Sequence, residues 1–158
     1  MKALIFLFSL FFLLNSCIYN ASEDTNDENA QANTENSGQK AGDGVFIHIT
    51  EAYDDPHRVL MPMKMATMMG KEKDVLLYLD IHAVELVVQG AEDLSMEGFD
   101  SFQTYLDQLN EIGVEVIACP TCLQVAGYSP EDLMEGVQVA AKDKFFGFTE
   151  GRILTIDY

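Results

Sequence analysis

The stretch GVEVIACPTCLQVAG, Gly113 to Gly127, decides the fold, because a strand pattern changes into a helix pattern within it. Val114 to Ala118 is a short run rich in apolar and β-branched residues, which is typical of a buried strand. Pro120 stands where the first residue of a helix would stand, and the residues up to Ala126 predict that short helix. Cys119 lies at the junction, so the stretch predicts an α/β protein with a cysteine at a strand end.

The neighbouring segments alternate between strand and helix patterns. Asp74 to Asp80 is apolar at nearly every position, which suits a strand buried on both faces of a parallel sheet. The predicted strands are Gly44–Thr50, Asp74–Asp80, Val114–Ala118, Val137–Ala141 and Arg152–Asp157, and the longer predicted helices are Pro56–Gly70, Phe99–Ile112 and Lys142–Glu150. This order predicts a three-layer α/β/α sandwich with a mainly parallel sheet of about five strands.

Three local signals add detail to this prediction. Pro62 lies inside the first predicted helix and should either kink the helix or reset its start. Ile81 to Val88 predicts a short extended piece after the second strand. Ser129 to Asp132 has the residues of a helix N-terminus, with Ser as the cap, Pro in the next position and acids in the first turn.

The N-terminus has the pattern of an exported protein. Lys2 precedes an almost wholly apolar run from Ala3 to Leu14, which is shorter than the about 20 residues that span a bilayer. The ending L-N-S-C resembles a bacterial lipobox, so we expect residues 1–16 to be a signal peptide and Cys17 to carry lipid. The protein would then be anchored to a bacterial membrane, on its periplasmic or outer-membrane face. A retained N-terminal anchor helix is the alternative.

Composition separates a linker from a folded domain. Residues 17–43 are polar and acidic and contain almost no large apolar side chain, so they predict a disordered linker, or alternatively a tail that binds a partner. Residues 44–158 then form the domain. The chain has a formal net charge of −17, and Asp74 to Ala141 contains no Lys or Arg. Such a surface repels phosphate backbones and excludes nucleic-acid binding.

Cys119 and Cys122 are the candidate functional residues. Sites in parallel sheets lie outside the carboxyl ends of the strands, where Cys119 stands, and a helix N-terminus favours a thiolate. The pair has four other interpretations: two unreactive core cysteines, a structural disulfide, half of a metal site, or a thioredoxin-like redox pair. The chain has no second C-x-x-C and no H-x-x-x-H motif, so we expect no metal site and no organic cofactor.

The segment GVEVIACPTCLQVAGYSPEDLMEGVQV, Gly113 to Val139, resembles the DsrE/DsrF-like family of small α/β sulfur-relay proteins. The strand ending in Cys119, the Gly eight residues later and the E-x-x-x-E-G-V piece carry the resemblance. It implies that Cys119 is the sulfur-accepting, persulfide-forming cysteine, and Cys122 is a candidate resolving thiol. It further implies a sulfur donor or acceptor protein as partner and a homo-oligomer, a trimer or hexamer. Many members have Arg just before the Gly, where this chain has Val125-Ala126.

Two functional hypotheses follow from these observations. The first is a membrane-anchored carrier of persulfide sulfur, or a thiol-exchange protein, that acts through Cys119. The second is a non-catalytic module that keeps the fold for oligomerisation or for binding a small ligand. His82 follows the second strand and is a candidate proton carrier or thiolate partner. The methionines of the first helix, from Met61 to Met69, predict apolar packing, with a soft-metal site as the alternative.

Overall fold

The computed structural model describes residues 42–158. The predicted signal peptide, the lipidation site at Cys17 and almost all of the predicted linker lie outside the described residues. Among the described residues, no helix has the length and the apolar character needed to cross a membrane. The fold is therefore described for residues 42–158, the C-terminal domain, alone.

Five parallel strands and four α-helices alternate along the domain. In chain order they are β1 (Gly44–Ile49), α1 (Pro56–Met69), β2 (Asp74–Leu79), α2 (Phe102–Glu111), β3 (Glu115–Ala118), α3 (Pro120–Ala126), β4 (Val137–Val139), α4 (Lys142–Phe148) and β5 (Ile153–Asp157). The strands form one sheet in the order β4-β3-β2-β1-β5, and every neighbouring pair is parallel. The predicted α/β fold with a parallel sheet of about five strands is confirmed.

The two faces of the sheet are covered unequally. On one face, Ile47, Leu77 and Val116 are fully buried in the main core together with residues of α1 and α2. On the other face, Leu76 and Ile117 are buried outside that main core. Helix α4 covers this second face, and it has only seven residues. The layer on the second face is therefore the thinner one, and polar side chains at the carboxyl ends of the strands reach solvent there.

The first helix is one continuous element through Pro62. A new helix start at Pro62 is therefore the wrong alternative. The side chain of Asp55 caps the helix, since its carboxylate accepts from Arg58 N, and Pro56 stands in the first position. Pro62 is buried along with Leu60 and its neighbours, so core packing offsets the backbone hydrogen bond that proline cannot donate.

The segment after β2 is not extended, so that prediction is wrong. Ala83 to Leu86 forms a 3₁₀ turn, and only Val88 makes a single antiparallel bridge, to Leu133. The run is apolar and largely buried, and a short apolar run does not distinguish a strand from a buried helical turn. Ser129 does cap a helical segment, as its sequence predicts, but the segment Pro130–Asp132 is only a single 3₁₀ turn.

Candidate functional site at the end of strand β3

Cys119 joins strand β3 to helix α3. Its backbone is extended, with φ −64° and ψ 119°, and its N–H donates to Leu79 O at 2.9 Å, which continues the ladder between β2 and β3. Its side chain caps α3, since Sγ accepts from the backbone N–H of Cys122 at 3.3 Å. The strand end and the helix start therefore hold the sulfur in one place, as the sequence pattern predicts.

Both thiols are free and half-buried. Cys122 lies in the first turn of α3, and the two thiols shift each other's pKa in opposite directions. The helix ends at Gly127, whose φ of 87° lies in the left-handed region. Gly suits that position because any side chain there would strain the backbone. The spacing from Cys119 to Gly127 is thus the length of one short, capped helix.

The surroundings of Cys119 favour its thiolate. Burial acts to raise the pKa of Cys119, but hydrogen bonds outweigh it and the net pKa is lowered. The donors are the Cys122 thiol, the Tyr78 hydroxyl and the backbone N–H groups of Cys122 and Thr121. A thiolate accepts all of these bonds, so each one stabilises the charged form over the neutral one.

Cys122 has the opposite tendency. Burial raises the pKa of Cys122, and the hydrogen bond and negative charge of Cys119, together with the Asp80 carboxylate, raise it further. One thiol of the pair is therefore ready to ionise while the other holds its proton. This division of roles suits a nucleophile with a thiol beside it that attacks later.

Tyr78 on strand β2 is the side chain beside Cys119 that sequence reasoning missed. Burial raises the pKa of Tyr78 far above its ordinary range, and the hydrogen bond to Cys119 adds to this effect, so the phenol remains a donor at neutral pH. Its ring is stacked on His48, with centroids 5.3 Å apart, and meets Phe145 of α4 edge-on at 5.2 Å. Tyr78 pairs with Ile117, two residues before Cys119, so both side chains share a face of the sheet, and this depends on a strand register that the local sequence does not encode.

His48 lies between two carboxylates on the same face of the sheet. Its Nδ1 is hydrogen-bonded to Asp157 Oδ1 at 3.1 Å, and its Nε2 lies 2.9 Å from Asp80 Oδ1. The second contact is close, but its angle is not that of a hydrogen bond, so both atoms lack a hydrogen bond among the described residues. The two atoms are buried against each other, so the contact is polar whichever ring nitrogen carries a proton.

His82 stands apart from these contacts. Its side chain is 68% exposed, and its ring nitrogen lies 3.9 Å from Glu85 in the 3₁₀ turn. It follows the end of β2, as predicted, but the side chains of β2 and its end that shift the pKa values of the thiols are instead Tyr78 and Asp80. A role for His82 stays a prediction.

The methionines of α1 do not form one cluster. Met63 is fully buried in the core, Met68 is exposed, and Met65 Sδ accepts from the Tyr158 hydroxyl at 3.2 Å. Nor does the part of the chain from 42 onward contain a group of three or more His, Cys, Asp or Glu side chains placed to hold a metal ion.

Cys119 and Cys122 line neither of two clefts in the described domain. One cleft, of about 520 Å³, is at the amino ends of the strands and is lined by Gly44, Lys73 and Gly147. Another, of about 350 Å³, lies between α1 and α2 near Phe99. The half-buried sulfurs are at the opposite end of the sheet from the 520 Å³ cleft, because Cys119 follows the carboxyl end of β3.

Comparison with known proteins gives the same fold. The model of the DsrE/DsrF-like family matches residues 9–150. The crystal structure of the YchN protein from E. coli is similar with a TM-score of 0.59 and 23% identity, covering 72% of this chain and 99% of that one. The protein of unknown function MTH1491 from Methanobacterium thermoautotrophicum is similar with a TM-score of 0.53 and 21% identity, covering 72% and 98%. No curated protein matches the chain.

Proposed function

The chain belongs to the DsrE/DsrF-like family, and from this premise we propose that it carries persulfide sulfur, or exchanges thiols, through Cys119. Family membership suggests a role of the sulfur-relay type. The observation that carries the proposal is the set of donors around the Cys119 sulfur, which lowers the pKa of the thiol despite its burial. A nucleophilic thiol of this kind is what sulfur transfer needs.

Loading is a displacement at sulfur. The Cys119 thiolate attacks the terminal sulfur of a persulfide on a donor protein. A new S–S bond forms on Cys119, the donor's S–S bond breaks, and the donor leaves as a thiolate. The bound persulfide anion takes the place of the thiolate and accepts hydrogen bonds from the same neighbours, among them Tyr78.

Delivery has two routes. In the first, an acceptor thiolate attacks the terminal sulfur, and Cys119 leaves as the thiolate. In the second, the Cys122 thiolate attacks Sγ of Cys119, the Cys119–Cys122 disulfide forms, and hydrosulfide leaves with the electron pair. Cys122 gives up its proton in this second route, and a partner dithiol must then reduce the disulfide. The two residues are neighbours at the start of α3, since the backbone N–H of Cys122 contacts the Cys119 sulfur.

The setting of this chemistry is part of the proposal. Lipidated Cys17 would anchor the protein to the periplasmic or outer-membrane face of a bacterial membrane. The acidic residues 17–43 would hold the domain away from that surface. A homo-oligomer, a trimer or hexamer, and a sulfur donor or acceptor protein complete the proposed assembly.

Persulfide loading tests the proposal directly. The reduced full-length chain is incubated with inorganic polysulfide, freed of excess reagent and analysed by intact mass and peptide mapping. We expect Cys122→Ser to gain the mass of one sulfur atom on Cys119. The wild-type chain should show the same gain or, once Cys122 has expelled hydrosulfide, the Cys119–Cys122 disulfide, and Cys119→Ser should show neither. A Cys122→Ser chain that gains no sulfur, or an equal gain in Cys119→Ser, would contradict the proposal and favour the non-catalytic interaction module.

A further inference from the structure

We propose that His48 is a positioning residue, whose imidazole, held between Asp80 and Asp157, fixes the ring of Tyr78 so that its hydroxyl faces the Cys119 sulfur. The inference deepens the proposed function and rests on it for its biological meaning. The positioning effect itself involves only the thiol of Cys119 and the side chains around it.

Strand register brings the three groups together. His48 pairs with Tyr78 on β2 and with Asp157 on β5, so all three side chains project from the same face of the sheet. The His48 and Tyr78 rings are stacked at 5.3 Å with 21° between their planes. Phe145 of α4 meets the Tyr78 ring edge-on at 5.2 Å. The phenol ring is therefore in contact with both an imidazole and a helix side chain.

The two carboxylates fix the imidazole in turn. Nδ1 contacts Asp157 at 3.1 Å and Nε2 contacts Asp80 at 2.9 Å. The Nε2 and Asp80 Oδ1 atoms are buried with no hydrogen-bond partner within residues 42–158. Their contact with each other therefore offsets part of the free-energy cost of burying both atoms.

This arrangement gives His48 a steric effect on the site, because a ring held at both nitrogens limits the positions that the stacked Tyr78 ring can take. A fixed Tyr78 ring keeps its hydroxyl beside the Cys119 sulfur, where a hydrogen bond favours the thiolate. The effect acts in a stretch of chain from Asp74 to Ala141 that has no Lys or Arg.

A double-mutant cycle separates positioning from a direct effect. The rate of iodoacetamide reaction at Cys119 is measured against pH in the full-length chain carrying Cys122→Ser, which removes the second thiol. We expect Tyr78→Phe and His48→Gln each to slow the reaction at pH 7 by about threefold to tenfold, through a higher thiol pKa. In the Tyr78→Phe background, His48→Gln should have less than a twofold further effect, because the hydroxyl that it positions is already gone.

His48→Phe is the informative second variant. It keeps an aromatic ring beneath Tyr78 but contacts neither carboxylate, so it should behave like His48→Gln if the carboxylate bridge does the positioning. Wild-type reactivity in His48→Phe and His48→Gln, or an equal effect of His48→Gln with and without the Tyr78 hydroxyl, would overturn the inference.

Asp157→Asn is a second test of the bridge that does not depend on the folding of the His48 variants. The Asp157 side chain is 68% exposed, so its replacement leaves the core intact while it weakens one end of the bridge. It should slow the reaction in the same direction and lose its effect in Tyr78→Phe. An equal effect in both backgrounds would overturn the inference. The alkylation rate of Cys119 is measured without sulfur loading. If loading fails while the effects of the His48 and Tyr78 variants remain coupled, the result counts against the proposed function alone.

Discussion

The sulfur of Cys119 accepts a hydrogen bond from the backbone N–H of Cys122 at 3.3 Å, so the two cysteines of the motif are linked before any disulfide forms. The contact makes Cys119 the cap of α3 and leaves Cys122 in the first turn of the helix. Because the Cys119 sulfur accepts this bond and the Cys122 sulfur does not take part in it, the geometry distinguishes the two thiols. The differences expected in solution follow from this asymmetry.

We predict that iodoacetamide labels Cys119 before Cys122. The pKa of Cys119 is lowered by its donors, which outweigh burial, whereas burial and the neighbouring negative charges raise the pKa of Cys122. As pH rises from 6 to 9, the Cys119 adduct should therefore appear first, since the thiolate is the form that reacts. Peptide mapping of the briefly treated full-length chain gives both rates. Equal rates, or faster labelling of Cys122, would contradict the assignment of roles.

We predict that Tyr78→Phe slows alkylation of Cys119 at pH 7 by about fivefold, because the lost hydrogen bond to the thiolate contributes about 1 kcal/mol. The ring stays in place, so its stacking against His48 and Phe145 should persist. Tyr53→Phe is the matched control: it removes a tyrosine hydroxyl that donates to Glu92 O at 3.0 Å, away from the thiols. A similar loss of rate in both variants would indicate a general effect of losing a hydroxyl.

The strand-end position of Cys119 could be predicted from the sequence, whereas its chemical neighbours could not. Val114 to Ala118 and Pro120 determine a local strand and helix, so the cysteine between them is placed by short-range patterns. The contact with Tyr78 depends on the pairing of β2 with β3, and the position of His48 depends on β1. These strands are far apart along the chain, and no local periodicity encodes their register.

The choice of His82 over His48 as a candidate has the same origin. His82 follows soon after a strand end, whereas the alternation within β1 gives only the face of the sheet on which His48 lies. Its position beside Tyr78 depends on the pairing of β1 with β2. The 3₁₀ turn at Ala83 was missed for a different reason: a short apolar run fits both a strand and a buried turn, and packing decides between them.

We predict that two glycines of the cysteine region differ in their tolerance of alanine. Gly127 and Gly136 both have positive φ, at 87° and 84°. At Gly127 a Cβ would meet nothing within 4 Å, so Gly127→Ala should lower the free energy of unfolding by about 1 kcal/mol through backbone strain alone. At Gly136 the Cβ would also collide with the side chain of Asn110, which donates to Glu135 O at 3.3 Å.

Gly136→Ala should therefore cost more, about 2–3 kcal/mol, because strain and a displaced hydrogen bond add together. Urea unfolding of both variants, followed by circular dichroism, measures the difference. Equal losses would show that Asn110 moves aside freely. The comparison also bears on the site, since Gly127 ends the helix that Cys119 begins.

We predict that Cys17→Ala releases the protein from membranes. A lipobox directs lipid to the cysteine after the cut, and the alanine variant cannot accept it. Fractionation of cells that express the full-length chain should move the variant from the membrane pellet to the soluble fraction. Cys122→Ala is the control, because it removes a cysteine and leaves Cys17, and it should stay in the pellet. Membrane association of Cys17→Ala would instead support a retained anchor helix.

We predict that Cys122→Ser holds its persulfide longer than the wild-type chain. The serine keeps the backbone N–H that contacts Cys119 and offers a hydroxyl in place of the thiol, so loading should be unchanged. It cannot form the disulfide that expels hydrosulfide from the loaded wild-type chain.

The measurement is hydrosulfide release after polysulfide loading and removal of excess reagent, with the intact mass taken in parallel. Wild-type protein should release one hydrosulfide for each Cys119–Cys122 disulfide formed, and that disulfide should appear as the loss of two hydrogens. The serine variant should keep the added sulfur until an external thiol removes it, since only the direct route to an acceptor is left. Equal spontaneous release from both chains would exclude Cys122 as the resolving thiol and leave direct transfer from Cys119 as the mechanism.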